Sequence, residues 1–232
     1  IGAVSSRANK TVVLLETGSS VNVSSWIDSI HSLLVVWYPG CEGGKAIART
    51  LFGEVNPSGR LPGLFPKSDQ QLGEWDVNAI TLKHGLFHGY RYLDRNKEKP
   101  LFPFGFGLSY TEFVVKNVCI NRKEGSFSVM VAVENVGKVD GECVLQLYVS
   151  CLDSEVERAE KELKGFGRLS LAVNEEMSLE FEVPDTDLCF YNPEEGWVLE
   201  SCLYRFSLGF SSEDLPSSQT WFFDGVSWTN KG

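Results

Sequence analysis

The sequence predicts two architectures in series, an α/β segment built on parallel strands and then an all-β sandwich. Three observations predict them. Apolar, β-branched runs alternate with helix-like segments through the first 60 residues. Strict period-two alternation recurs beyond residue 110. Charge divides in the same way: residues 1–107 hold 11 basic and 9 acidic side chains, whereas 108–232 hold 10 and 22. So abrupt a change marks two units.

In the first unit, "TVVLLETG" is a short apolar run ended by Gly18, which fits a buried parallel strand. "SSWIDSIHS" predicts a short helix through Ile30, capped by Ser24 or Ser25. "LLVVWYPG" is a second buried strand, stopped by Pro39-Gly40. "EGGKAIARTLFGE" predicts a helix with Ile47, Ala48, Leu51 and Phe52 on its apolar face and Gly53 ending it in left-handed geometry. Strand, helix, strand, helix implies a parallel pair with a crossover connection. Two strands cannot cover both faces of such a sheet, so the segment reads as the last part of an α/β domain that begins upstream of Ile1. Irregular stretches follow, rich in Pro, Gly and aromatics: "NPSGRLPGLFPKSDQQLGEW" and "HGLFHGYRYLDRNKEKPLFPFGFGLSYT". These are expected to wrap over a surface and to be fixed by aromatic packing.

In the second unit, "SFSVMVAVEN" places Phe127, Val129, Val131 and Val133 on one face. "ECVLQLYVS" does the same with Cys143, Leu145, Leu147 and Val149. "SLEFEV" turns Leu179, Phe181 and Val183 inward, and "LYRFSLG" groups Tyr204, Phe206 and Leu208. "FVVKNVCI" and "ELKGFGRLSL" supply two further strands. Six or seven short strands with turns between them predict an immunoglobulin-like or fibronectin-type sandwich. The expected partition is 1–88 for the partial α/β unit, 89–110 for an aromatic, Gly- and Pro-rich connection, 111–212 for the sandwich and 213–232 for a tail.

Composition narrows the function. With 43% hydrophobic and 22% charged residues the chain is globular rather than disordered. No apolar run reaches the ~18 residues a membrane helix needs. The acidic second half would repel a phosphate backbone and the first half has no basic stripe, so nucleic acid is not an expected partner. The six cysteines, at 41, 119, 143, 151, 189 and 202, include no C-x-x-C pair. Buried thiols and disulfides both remain open for them. Asn9-Lys10-Thr11 and Asn22-Val23-Ser24 are glycosylation sequons, of consequence only in a secreted protein. A secreted or extracytoplasmic location is the expectation, although "IGAVSSRANK" contains neither an initiator Met nor a leader.

Several motifs fall short of chemistry. "GCEGGKA" has three residues between its glycines and Ala46 after Lys45, so it lacks the phosphate-loop spacing and the magnesium-binding hydroxyl. His84 and His88 are four apart, but Gly85 replaces the Glu of a zincin, and His31 stands alone. No G-x-S-x-G occurs for a serine triad. Glycoside hydrolysis needs two carboxylates, about 5–5.5 Å apart in retaining enzymes. The first half offers Glu16, Asp28, Glu42, Glu54, Asp69, Glu74, Asp76, Asp94 and Glu98. Glu16 ends a strand, where α/β ligand sites gather, and is the substrate-pocket candidate. Glu42 precedes a helix, where its charge is stabilised structurally. No cofactor and no metal is expected.

The strings "NKTVVLLETGSSV", "VVWYPGCEGGKAIARTLFGEVNPSGRLPGLFP", "HGYRYLD" and "PLFPFGFGLSYTEF" occur in the order and spacing of glycoside hydrolase family 3, and the chain resembles its β-glucosidases and β-xylosidases. "VENVGKVDGECVLQLYVS", "KELKGFGRLSL" and "YRFSLGFSS" resemble that family's C-terminal fibronectin type III-like domain. The likeness spans about residues 9–212, with Cys41 and Ser20 as small departures, and 213–232 match nothing in it. The resemblance implies the last part of the family's α/β sandwich and then the β domain. It implies retaining hydrolysis of β-linked glycosides by a barrel-bearing parent. The nucleophilic Asp and acid/base Glu are expected upstream of Ile1, so no catalytic residue is carried over. A non-catalytic glycan- or protein-binding module and an inactive gene product are the alternatives. The substrate expected of the parent is a β-linked oligosaccharide or glycoside. Neither the sugar nor the oligomeric state is set by the sequence.

Overall fold

The structure, a computed structural model, describes residues 1–73, 78–81 and 83–232. A short helix α1 (Gly2–Ser5) precedes β1 (Val12–Leu15). Strand β2 (Ser32–Val35) pairs with β1 in parallel, Val12 opposite Ser32 and Leu15 opposite Val35. Between them the expected helix shrinks to a 3-10 turn, Ile27–Ser29. Ser24 caps nothing there, because its hydroxyl is drawn off to donate to the Lys67 carbonyl at 2.8 Å. Helix α2 (Gly43–Leu51) forms as expected. Gly53, at φ 78°, takes the left-handed position that closes it. Its N–H reaches the Thr50 carbonyl and the Glu54 N–H reaches Arg49, the paired bonds of a Schellman motif.

The strand burial expected of this unit is not reached within the chain. Val12 and Leu14 are exposed, and so are Leu51 on α2 and, at 85%, Phe52 just after it. The reason is geometric, since a two-stranded sheet with one full helix has too few elements to cover its own faces.

The irregular connection is ordered by backbone as well as by rings. Leu61 donates to Phe106, Gly105 to Leu61 and Phe65 to Phe102, so residues 61–65 and 101–106 run side by side. Phe65 is fully buried, with Trp37 and Phe102 edge-on to it at 6.4 and 6.3 Å. Asn56 ties the unit to the sandwich: its Nδ2 donates to the Asp140 carbonyl, and its Oδ1 accepts from Ser109 Oγ and the Tyr110 N–H. Helix α3 (Tyr90–Arg95) completes the connection.

The sandwich contains β3 (Phe113–Lys123), β4 (Ser126–Asn135), β5 (Gly141–Cys151), β6 (Glu162–Leu171) and β7 (Glu176–Pro184). A small hairpin follows, β8 (Phe190–Asn192) with β9 (Gly196–Val198), then β10 (Leu203–Gly209), β11 (Ser217–Phe223) and β12 (Trp228–Asn230). One sheet runs β3-β4-β7 and the other β12-β11-β10-β5-β6, with antiparallel pairing in both. The alternations predicted for β4, β5 and β10 are the core: Phe127, Val129, Val131, Val133, Leu145, Leu147, Phe206 and Leu208 are all at 0% exposure. Residues 213–232, expected as a tail, form β11 and β12 and extend the larger sheet. Their aromatics explain this. Trp221, Phe223 and Trp228 close over the core, with Trp221 and Trp228 edge-on to Phe127 at 5.2 and 4.7 Å. Arg122 lies over Phe127 and Trp228 and holds Asp185 through two bonds of 2.6 and 2.5 Å.

Strand β5 is buried on both faces. Inward it meets the core, while outward Gln146 and Tyr148 are covered by the connection, Tyr90 standing edge-on to Tyr148 at 5.8 Å. Tyr90 stacks on Phe104 and accepts the Leu163 N–H at its hydroxyl. Ion pairs ring this contact: Arg91–Glu162, Lys97–Glu160, Lys99–Glu213 and the buried Lys161–Asp94. The first unit is thereby clamped onto the outer face of the five-stranded sheet.

The cysteines resolve into one disulfide, Cys151–Cys202, joining the end of β5 to the start of β10. Cys41 and Cys119 are exposed thiols, Cys189 is half-buried and Cys143 is in the core.

Candidate functional site

The C-terminal ends of β1 and β2 carry Glu16-Thr17-Gly18 and Trp37-Tyr38-Pro39-Gly40. Parallel strands place their C-terminal ends together, so these two turns form one edge. Gly18 is required there: a Cβ on it would stand 2.3 Å from the Tyr38 hydroxyl. Trp37 adopts φ 49°, a conformation foreign to a bulky residue, and its packing on Phe65 holds it. Such strain costs about 1–3 kcal/mol and gathers at functional edges. Tyr38 is 77% exposed beside it. In the sequence "LLVVWYPG" reads as a buried strand stopped by Pro39-Gly40, with no functional role for its aromatics. The usable signal was two aromatics immediately before Pro-Gly at a parallel strand's end.

Glu16 lies on this edge, exposed. Glu42 is the residue before α2, and its carboxylate makes no capping hydrogen bond. Other first-half carboxylates are committed to structural contacts. Glu54 pairs with Arg49, Asp69 accepts from Asn22, Glu98 accepts from Gln71 and Asp94 is held by Lys161. Asp28 is exposed on the 3-10 turn. Glu74 and Asp76 lie outside the described residues. The Asn22 amide of the second sequon is occupied by Asp69, whereas Asn9 is exposed.

Two of the three histidines serve the backbone, and the His84 ring stands 6.1 Å from that of His88. His31 Nδ1 accepts the Thr11 N–H at 3.2 Å, and His88 Nδ1 contacts the Gly85 carbonyl at 2.9 Å. Among the described residues the one grouping with metal-ligand spacing is Cys151, Glu200 and Cys202, two of which are spent in the disulfide. No helix among the described residues is long and apolar enough to cross a membrane.

Residues 1–110 match the family described as glycosyl hydrolase family 3 C-terminal domain, and residues 143–212 match the fibronectin type III-like domain. The chain belongs to glycosyl hydrolase family 3. Thermostable β-glucosidase B of Acetivibrio thermocellus is 39% identical over 225 residues, 93% of this chain and 30% of that protein. A β-glucosidase of Bacteroides ovatus is 34% identical over 92% of this chain and 30% of its own length. The β-glucosidase 3B of Thermotoga neapolitana, solved with α-D-glucose, superposes at a TM-score of 0.87 with 31% identity, over 95% of this chain and 32% of that one. The chain thus spans about a third of the family 3 relatives it matches and corresponds to their C-terminal region.

Proposed function

We propose that this chain is the C-terminal part of a retaining β-glycosidase of the β-glucosidase type, bracing the catalytic barrel while the nucleophilic Asp and acid/base Glu are carried outside residues 1–232. One observation carries the reading. The sandwich is closed over a complete core, whereas the parallel pair and α2 present Val12, Leu14, Leu51 and Phe52 uncovered. An apolar surface of that kind marks a contact with further protein. Glu16 then faces the sugar cleft from the strand edge, as a wall residue and not as one of the reacting pair. The substrate of the whole protein is a β-linked glucoside or short oligosaccharide, with a β-xyloside as the variant within the same class. The disulfide supports an oxidising, extracytoplasmic setting.

The test is direct. Purified residues 1–232 are expected to give no turnover of a nitrophenyl β-glucoside, while the barrel-bearing protein does. Turnover by 1–232 above that of a variant with Glu16 and Glu42 changed to Gln would overturn the reading. In the barrel-bearing protein, Glu16→Gln is expected to raise KM more than it lowers kcat.

A second reading, a glycan-binding role for the sandwich, is favoured by a separate observation on the β8–β9 hairpin.

A further inference from the structure

The β8–β9 hairpin borders a cavity of about 500 Å³. That falls in the range of about 300–1,000 Å³ usual for small-molecule sites. Tyr191 and Trp197 are register partners on the hairpin, edge-on at 5.6 Å. Both line the cavity, yet they are 62% and 71% exposed. Two large rings held open on a short hairpin are costly to leave wet unless something covers them. Charged side chains also line it, Glu157, Arg158, Glu162, Lys164 and Asp187, beside the apolar Leu86, Val156 and Phe190.

The charges of that wall decide the ligand's class. Arg158 pairs with Glu200 and donates to the Leu188 carbonyl. Lys164 and Arg91 both hold Glu162, and Arg95 holds Glu157. A charged ligand would have to break one of these pairs. Asp187 differs, being an exposed carboxylate with no hydrogen bond or ion pair among the described residues. A free carboxylate accepts two hydroxyls at once. Rings for an apolar face, an open carboxylate for a diol and neutralised charges elsewhere together describe a site for a neutral polyol with flat C–H faces.

We infer that this cavity is an accessory oligosaccharide-binding site, in which Tyr191 and Trp197 stack on sugar rings and Asp187 accepts their hydroxyls. The choice of β-linked glucose units as the preferred ligand rests on the proposed β-glucosidase function, but the neutral-oligosaccharide chemistry does not.

Isothermal titration of residues 1–232 with cellotetraose is expected to give saturable binding. Trp197→Ala should weaken it about tenfold or more. Asp187→Asn should weaken it less, and both variants should keep the wild-type far-UV circular dichroism and melting temperature, because neither side chain is in the core. Binding by Trp197→Ala equal to wild type, no saturation with cellotetraose or maltotetraose, or tighter binding of a sulfated oligosaccharide would each overturn the site. Binding of maltotetraose in preference to cellotetraose would keep the site and remove its link to the β-glucosidase reading. Nitrophenyl β-glucoside turnover by the barrel-bearing protein tests that reading separately and should be unchanged by Trp197→Ala.

Discussion

Cys143 and Cys41 are the same residue type in opposite circumstances. Burial between the two sheets pushes the Cys143 thiol up to about 11, so it stays protonated and unreactive at neutral pH. Cys41 and Cys119 are exposed. Alkylation of the native protein at pH 8 is therefore expected to modify Cys41 and Cys119 rapidly and Cys143 only after unfolding, read by intact mass and peptide mapping. Rapid native labelling of Cys143 would show that the core opens. Asp94 gives a pH signature. Burial raises its pKa, more than the Lys161 hydrogen bond lowers it, and its Oδ2 has no hydrogen-bond partner. A carboxyl group raised in the folded state binds its proton more tightly there than when unfolded. Its contribution to stability is full below the ordinary aspartate value and declines as pH rises through the folded value. Melting temperatures of wild type and Asp94→Asn should accordingly draw apart across that acidic window and run parallel above it. Alternation places Cys143 on an inward face, but Asp94 reads like any surface acid because Lys161 lies 67 residues away.

Among elements, the alternating strands were legible because their period is a local property. β4, β5 and β10 bury the residues that period two selects, and β7 buries Phe181 and Val183 with Leu179 half-buried. The 3-10 turn at Ile27–Ser29 was not, since a contact with Lys67 diverts the serine that would have capped a helix. β11 was missed for a related reason. "SSQTWFF" begins with polar residues and alternates only at its end, and its place is set by pairing with β10. That pairing makes residues 213–232 essential. Deleting them leaves β10 as an open edge and removes Trp221, Phe223 and Trp228 from the core. Thermal melts of a chain ending at 212 should lose cooperativity, whereas residues 111–232 should melt cooperatively without the first unit. Phe127→Ala, which strips the ring that Phe206, Trp221 and Trp228 contact, should cost about 3–5 kcal/mol by denaturant unfolding. A cooperative 111–212 fragment would contradict this account.

For the whole molecule the contrast is between a finished core and an unfinished one. Hydrogen exchange should report it: amides of β4 and β5 are expected to exchange at least about tenfold more slowly than those of β1 and β2, no residue of which is fully buried. Equal protection would mean that the parallel pair is stable unaided. The candidate edge was half legible. Glu16 could be placed at a strand end by reading alone, while the left-handed Trp37 and the Tyr38 hydroxyl over Gly18 need three-dimensional packing to be seen. The hairpin cavity left no readable pattern, because its walls come from separate segments of the chain, from Leu86 to Trp197. Strand β5, wrapped on both sides, has a mechanical result. With Tyr148 packed edge-on against Tyr90 and Lys161 paired with Asp94, the join between the units is a packed contact and not a free tether. A glucan gripped at the hairpin would sit at a set spacing from the sheet's strand-end edge, as on a caliper whose jaws have been screwed tight.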